Sequence, residues 1–370
     1  MSEFVGREPL MDRLWGLLRT THLLFFGPRR VGKSRLLEEM SAAPKQHMRL
    51  VRVDLQGATL EEHLFARLWK AMAEQRHQLL RTLDRVESAA GVELAPPPER
   101  SPWEKVQELL ESLDSDRILV VALDEVPWWL DALERAKPGS ARIALAELRR
   151  LRGESSLAHV RWVLTGSVGI ASRAIRWQAS AELNDLSVVE LPPLDQAAGM
   201  ALFETECLAH NCECEPEAAA FAHWLGGGRP HWIRTIAERA RAASSADEEP
   251  SVITKTLVEG ELARLLGTQS RHLFHDEGSD HFGREYGPLE RALCESVLNV
   301  VCANTEGVPR AGALTAAMSH APPDTNKATI EAVILRLIED FYILEDEPDG
   351  RQIRVALPLF ARWWTRWRTR

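Results

Sequence analysis

Eight consecutive residues, Gly27-Pro28-Arg29-Arg30-Val31-Gly32-Lys33-Ser34, have the types and spacing to hold a chain of phosphates. They fit G-x-x-x-x-G-K-[ST] with no gap or mismatch. Gly27 and Gly32 let the backbone wrap closely, so that successive N–H groups point at phosphate oxygens. Lys33 is placed to reach the β- and γ-phosphates, and the Ser34 hydroxyl to ligate Mg²⁺. Further along, Ile118-Leu119-Val120-Val121-Ala122-Leu123 is an apolar run ending in Asp124 and Glu125. A buried parallel strand of that form delivers Asp124 to the Mg²⁺ water shell beside Ser34. It leaves Glu125 to orient or deprotonate an attacking water. The bland alternative is that both acids simply favour the N-terminus of the next helix. Together the two motifs predict bound ATP and Mg²⁺, with hydrolysis to ADP and phosphate.

Several elements must position these residues. Thr21-His22-Leu23-Leu24-Phe25-Phe26 reads as a buried strand, and Ser34-Arg35-Leu36-Leu37-Glu38-Glu39-Met40 opens a helix. The loop therefore runs from a strand onto a helix N-terminus, where the dipole favours an anion. Leu50–Leu55 alternates like a second strand, and Thr59-x-x-Glu62 predicts a capping box for the helix that follows. Val160-Arg161-Trp162-Val163-Leu164-Thr165-Gly166-Ser167 is another strand, whose polar end offers Thr165 and Ser167 to the γ-phosphate. Val188–Leu191 makes a fifth. Strands alternating with helices imply an α/β fold, a parallel sheet covered on both faces, with the ligand at the strands' C-terminal ends. The segment 88–102, with Pro96-Pro97-Pro98, reads as a loop inside this domain.

The whole chain has 370 residues, more than one ordinary domain. At 45% hydrophobic and 27% charged it has the balance of a soluble globular protein. A net charge of −9 argues against general affinity for nucleic acid. Five irregularly spaced cysteines, no apolar stretch long enough for a bilayer and no basic or apolar run after Met1 predict a reduced, cytoplasmic protein.

From Asp195 the strand signal stops, and helices are predicted over 195–210, 216–225 and 231–243. Ala242 to Pro250 reads as a linker. Leu289, Leu293, Val297 and Val300 mark a further helix, Ala311 to Met318 a second, and Ile330, Val333, Leu337 and Phe341 a third. Tyr342–Leu344 and Ile353–Leu357 flank Pro348-Asp349-Gly350 and should pair as a hairpin, which completes a winged helix. The expected organisation is an ATP-binding core over 1–194, a helical lid over 195–270 and a winged-helix domain over 271–370.

With these motifs in place, the sequence resembles the archaeal-type and signal-transduction (STAND-like) ATPases of the AAA+ division of P-loop proteins. The resemblance covers most of the chain. It rests on Phe4-Val5-Gly6-Arg7-Glu8, the phosphate loop, Leu123-Asp124-Glu125, Leu164-Thr165-Gly166-Ser167, Leu191-Pro192-Pro193-Leu194 and Gly226-Gly227-Gly228-Arg229-Pro230. It implies that Val5, Gly6 and Arg7 lie beside the base and that Arg229 or Pro230 makes the lid contact. The expected function is an ATP-binding and ATP-hydrolysing molecular switch, its nucleotide state setting lid and winged helix, with a protein partner or self-association. A DNA-associated ATPase resembling replication initiators or transposition regulators is the alternative. One departure stands out: Leu183-Asn184-Asp185-Leu186 lacks the arginine that such relatives carry before the fifth strand. Arg173 and Arg176 are the nearby substitutes, or else solvated helix residues.

Other constellations carry weaker expectations. Cys207, His210, Cys212 and Cys214 could bind zinc, as could the group His272, His275, Asp276, Asp280 and His281, but plain thiols and a polar loop are favoured. The run Trp363-Trp364-Thr365-Arg366-Trp367-Arg368-Thr369-Arg370 suits packing, single-strand stacking or a membrane interface, and packing is favoured. The third C-terminal helix offers Lys327 and Arg336 but also Glu331, Glu339 and Asp340, and the wing carries Glu345, Asp346 and Glu347. That charge pattern favours a protein-contact module over a DNA reader.

Overall fold

A strand buried on both faces must be apolar throughout, and an all-parallel sheet needs a helical crossover between neighbouring strands. In the N-terminal half Ile118–Asp124 is apolar up to its final aspartate, and helices connect the strands. The computed structural model describes residues 6–45, 47–82, 100–113, 116–166, 169–244, 252–267, 274, 286–323, 325–345 and 351–367. It divides into two compact units. The first comprises Arg7–Gly27 and Lys33–Leu191. The second comprises Gly6, Pro28–Gly32 and Pro192–Arg370.

In the first unit, helix α1 (Glu8–Leu17) precedes β1 (His22–Phe26), α2 (Lys33–Ala42) and β2 (Met48–Asp54). Helices α3 (Glu62–Thr82) and α4 (Pro102–Glu111) lead to β3 (Ile118–Asp124), then α5 (Val126–Ala136) and α6 (Ser140–Gly153). Strand β4 (Val160–Gly166), α7 (Ile170–Arg176) and β5 (Leu186–Glu190) complete it. The strands are all parallel, in the order β2-β3-β4-β1-β5. Because β4 lies between β1 and β3, its last residues stand between the phosphate loop and the acid pair. Register fixes this: Phe25 is opposite Thr165, Phe26 opposite Gly166, and Leu123 opposite Leu164. Trp103 of α4, Trp129 of α5, Leu145 and Leu148 of α6 and Trp162 of β4 belong to one buried core.

The capping box predicted at Thr59 does not form. Helix α3 begins at Glu62, and the Thr59 amide donates instead to Nδ1 of His63 at 3.1 Å. The box is found at α4, where Ser101 and Glu104 cap each other's backbone amides. Asp185, before β5, is held by Arg152 of α6 at 2.6 and 2.8 Å. Arg173 is not a solvated helix residue: it is buried and paired with Asp131 at 2.8 Å.

The second unit is helical, with α8 (Gln196–Leu208), β6 (Glu213–Cys214), α9 (Pro216–Leu225), α10 (Pro230–Ser244), β7 (Val252–Ile253) and α11 (Lys255–Leu265). Three further helices, Pro288–Cys302, Arg310–His320 and Lys327–Glu339, follow with a small antiparallel sheet of β8 (Val308–Pro309), β10 (Gln352–Val355) and β9 (Ile343–Glu345). This is the winged-helix arrangement; the turn Pro348-Asp349-Gly350 lies outside the described residues. A last helix, Pro358–Trp367, closes the chain. One continuous core runs from Leu202, Phe203 and Trp232 in the lid helices to Leu298, Leu337, Phe360 and Trp364 in the winged helix. Trp363 and Trp364 are buried, and Trp364 donates its indole N–H to Asn299 at 2.8 Å. The aromatic run therefore packs up to Trp364, while Arg368 to Arg370 lie outside the described residues.

Trp364→Ala removes a fully buried ring and its hydrogen bond, so it should destabilise this unit by about 3–5 kcal/mol. Urea unfolding followed by circular dichroism measures it. An unchanged midpoint would contradict the packing described.

Candidate nucleotide site

The phosphate loop leaves β1 after Phe26 and enters α2 at Lys33. Its shape needs glycine at two places for different reasons. Gly32 has φ +102°, where a side chain would be strained, and a Cβ on Gly27 would lie 2.6 Å from the Leu191 carbonyl oxygen. Arg30 is left-handed too, at φ 63°. Lys33 is buried and its ammonium donates to the Gly27 carbonyl at 2.8 Å, so the lysine spans the loop from end to start.

Asp124 closes the site from below. Its carboxylate is completely buried at the end of β3. Ser34 Oγ donates to Oδ2 at 2.7 Å, and the Glu125 amide donates to Oδ1 at 3.1 Å. Arg52, on the neighbouring β2, donates to Oδ2 through Nε at 3.0 Å and approaches it through Nη2 at 2.8 Å. A buried carboxylate is tolerable only with this degree of compensation. Arg52 was missed by motif reasoning. Its signal in the sequence is a cation two residues before Asp54 in a strand that pairs with the one ending in Asp124.

Glu125 has φ 59° and makes no side-chain cap to α5, although it occupies the cap position. A left-handed glutamate carries backbone strain, of the kind that concentrates at functional sites. Thr165 is buried, and its hydroxyl has no hydrogen-bond partner among the described residues. Such an orphan costs about 1–3 kcal/mol unless a bound group satisfies it.

These features decide whether the residues fit Mg²⁺ and a triphosphate, and they do. Ser34 and Asp124 offer adjacent hard oxygen donors, which suit Mg²⁺. Because Ser34 donates its proton to Asp124, its own lone pairs stay available to a cation. The two-glycine loop, the buried Lys33 and the orphan Thr165 hydroxyl suit phosphate oxygens.

The other predicted residues fall in several places. Pro28 and Val31 are buried within the loop, and Arg29 is half-buried. Arg35 faces outward on α2, paired with Glu39 and Glu38. Gly6 has φ +75° and Arg7 is buried at the start of α1. Val5 and Ser167 lie outside the described residues.

Arg30 bonds to His231 Nε2 at 2.8 Å and stacks 5.6 Å over the Trp232 ring, within the second unit. Burial, then the charges of Arg30 and Arg234, hold the His231 pKa down at about 4, so the neutral ring accepts this bond. Pro230 opens α10, as expected. Arg229 is buried and donates to the Phe341 carbonyl at 3.0 Å. The preceding Gly228 has φ +64°, and a Cβ there would meet the Leu194 carbonyl at 2.6 Å. The glycine run thus serves a tight backbone approach.

Among the described residues no group of three His, Cys, Asp or Glu side chains is arranged to hold a metal. Burial, helped by the neighbouring Cys214 and Cys212, pushes the Cys207 thiol up to about 12. The cluster from His272 to His281 lies outside the described residues. No helix among those described is long and apolar enough to cross a membrane.

No known family description matches the chain, and no curated protein matches it. Solved structures do. A Walker-type ATPase of Pyrococcus abyssi superposes with a TM-score of 0.70 at 16% identity, covering 98% of this chain and 96% of that one. The ORC2 protein of Aeropyrum pernix, in its ADPNP-ADP complexes, gives 0.61 at 13% identity, over 99% and 94% of the two chains. Its ADP form gives 0.52 at 13% identity, over 97% and 91%. The fold is therefore shared with these proteins along nearly the whole chain.

Proposed function

We propose that the chain is a Mg²⁺-dependent ATPase that works as a molecular switch, its nucleotide state setting the lid and the winged helix within a protein complex. The observation that carries this is the 2.7 Å bond between Ser34 and the buried Asp124, which joins the two nucleotide motifs into one site.

When bound, Mg²⁺ supplies charge neutralisation across the β- and γ-phosphates. Lys33 and the loop amides hold those phosphates and offset charge as it develops. Glu125 orients the water and takes its proton, and the Thr165 hydroxyl, aligned on β4 between loop and acid pair, donates to an oxygen beside it. Gly6 and Arg7 contribute to base binding.

The switch function draws support from contacts inside the second unit. Arg30 joins the loop tip to His231 and Trp232 at the start of α10. One residue earlier, Arg229 joins that start to Phe341, where the third C-terminal helix gives way to β9. A change of loop conformation with nucleotide is thereby passed to the winged helix by two arginines.

The DNA-associated alternative is supported by the likeness in fold to the ORC2 protein. Local charge supports the protein-contact reading. Arg310 is paired with Glu331 and Glu345, and Arg336 with Glu290, so both cations are already satisfied. Each would have to leave a carboxylate to meet a phosphate.

Two measurements test these readings. Glu125→Gln should keep ATP affinity in calorimetry and lose phosphate release on the order of a hundredfold, whereas Lys33→Ala should lose binding itself. Parental turnover in Glu125→Gln would remove its assigned role. On random duplex at physiological salt, fluorescence anisotropy should give no dissociation constant below about a micromolar. Tighter, salt-dependent binding would favour the DNA-associated ATPase.

A further inference from the structure

Arg52, from outside the nucleotide motifs, contacts Asp124 directly. It reaches Oδ2, the same oxygen that accepts from Ser34. That oxygen faces the cation-binding hydroxyl, so a divalent ion and a guanidinium there would repel each other. Arg52 also has a second berth. Its Nη1 already donates to Glu38 Oε1 at 3.1 Å, and its Nη2 lies 4.0 Å from Asp54 Oδ2. Unlike Asp124, both of these carboxylates are about half exposed, and the Arg52 side chain keeps 24% of its surface in solvent. Its guanidinium thus lies within reach of all three carboxylates.

Resting on the nucleotide-site reading above, we propose that Arg52 is a positioning residue that competes with Mg²⁺ for Asp124 and sets the Mg²⁺ requirement of nucleotide binding. The guanidinium keeps the buried carboxylate compensated while no divalent ion is there. Entry of Mg²⁺ moves it toward Glu38 and Asp54. Glu38 stands on α2, the helix that carries Lys33 and Ser34, so the exchange is reported to the phosphate loop's own helix. A merely structural Arg52 would tie β2 to β3 and leave the Mg²⁺ requirement unchanged.

The test titrates Mg²⁺ into the full chain with a fluorescent ADP analogue, after a baseline in EDTA, and reads the Mg²⁺ concentration at half-maximal binding. Arg52→Gln should lower that concentration about tenfold, the scale of one lost charge-assisted hydrogen-bond pair. Arg52→Lys, which keeps the charge, should restore most of the original requirement. Glu38→Gln weakens the second berth and should raise it. A half-point in Arg52→Gln equal to or above the parental one would overturn the proposal. If that variant does not fold, an unchanged half-point in Glu38→Gln would do the same. Analogue binding in EDTA with no Mg²⁺ effect in the parental chain would overturn this inference alone, whereas no binding under any condition would overturn the nucleotide reading with it.

Discussion

A carboxylate with no exposed surface at the end of an internal strand is the constraint from which the rest of the first unit follows. Asp124 is tolerable there because three groups from different elements converge on it: the Ser34 hydroxyl, the Glu125 amide and the Arg52 guanidinium. Removing any one partner leaves a buried charge undercompensated, which is far costlier than the bond itself is worth. The convergence holds α2 at the height where Lys33 can bridge its own loop. It also ties β2 to β3, and Glu125, whose amide takes part, has a left-handed backbone. Interposing β4 between β1 and β3 adds the Thr165 hydroxyl at the same level.

In the second unit the corresponding constraint is shared burial. The lid helices and the winged helix have a single core, with Trp232 from α10 against Phe274, and Phe274 against Phe360 and Trp363. Close-packed cores transmit displacement because they have no slack to absorb it. Arg30 and Arg229 flank this core where α10 begins, one holding the loop tip and the other the Phe341 carbonyl. The three C-terminal helices thus share with α10 the core in which Trp232 packs.

Much of this was legible in the sequence, for reasons that are physical. The phosphate loop declares itself because two glycines, a lysine and a serine at fixed spacing have few other uses. Strand β3 is legible because burial on both faces demands the unbroken apolar run before Asp124. The winged helix shows in helical periodicity followed by two short strands. What escaped depends on contacts distant in the chain. Arg52 looks like one polar position in an alternating strand until register sets it beside β3. Arg173 and Asp131 lie on different helices and pair only once α5 and α7 are built. The glycines before Arg229 do not show in sequence what Gly228 does in the fold, where its close approach to Leu194 leaves no room for a side chain. Thr59 and Glu62 have the spacing of a capping box, and His63 takes the amide instead.

The central claim is that nucleotide state at the loop is felt at the start of α10. Hydrogen exchange of Gly226 to Ile233 measures it most directly, comparing the full chain with Mg²⁺ and a non-hydrolysable ATP analogue against the same chain with Mg²⁺ and ADP. These amides border Arg229 and the His231–Arg30 contact, so their opening reports on both links. The account predicts slower exchange with the ATP analogue, and loss of most of that difference in Arg229→Ala with little change in ADP affinity. Equal protection in both nucleotide states would contradict it and leave the lid a static cover.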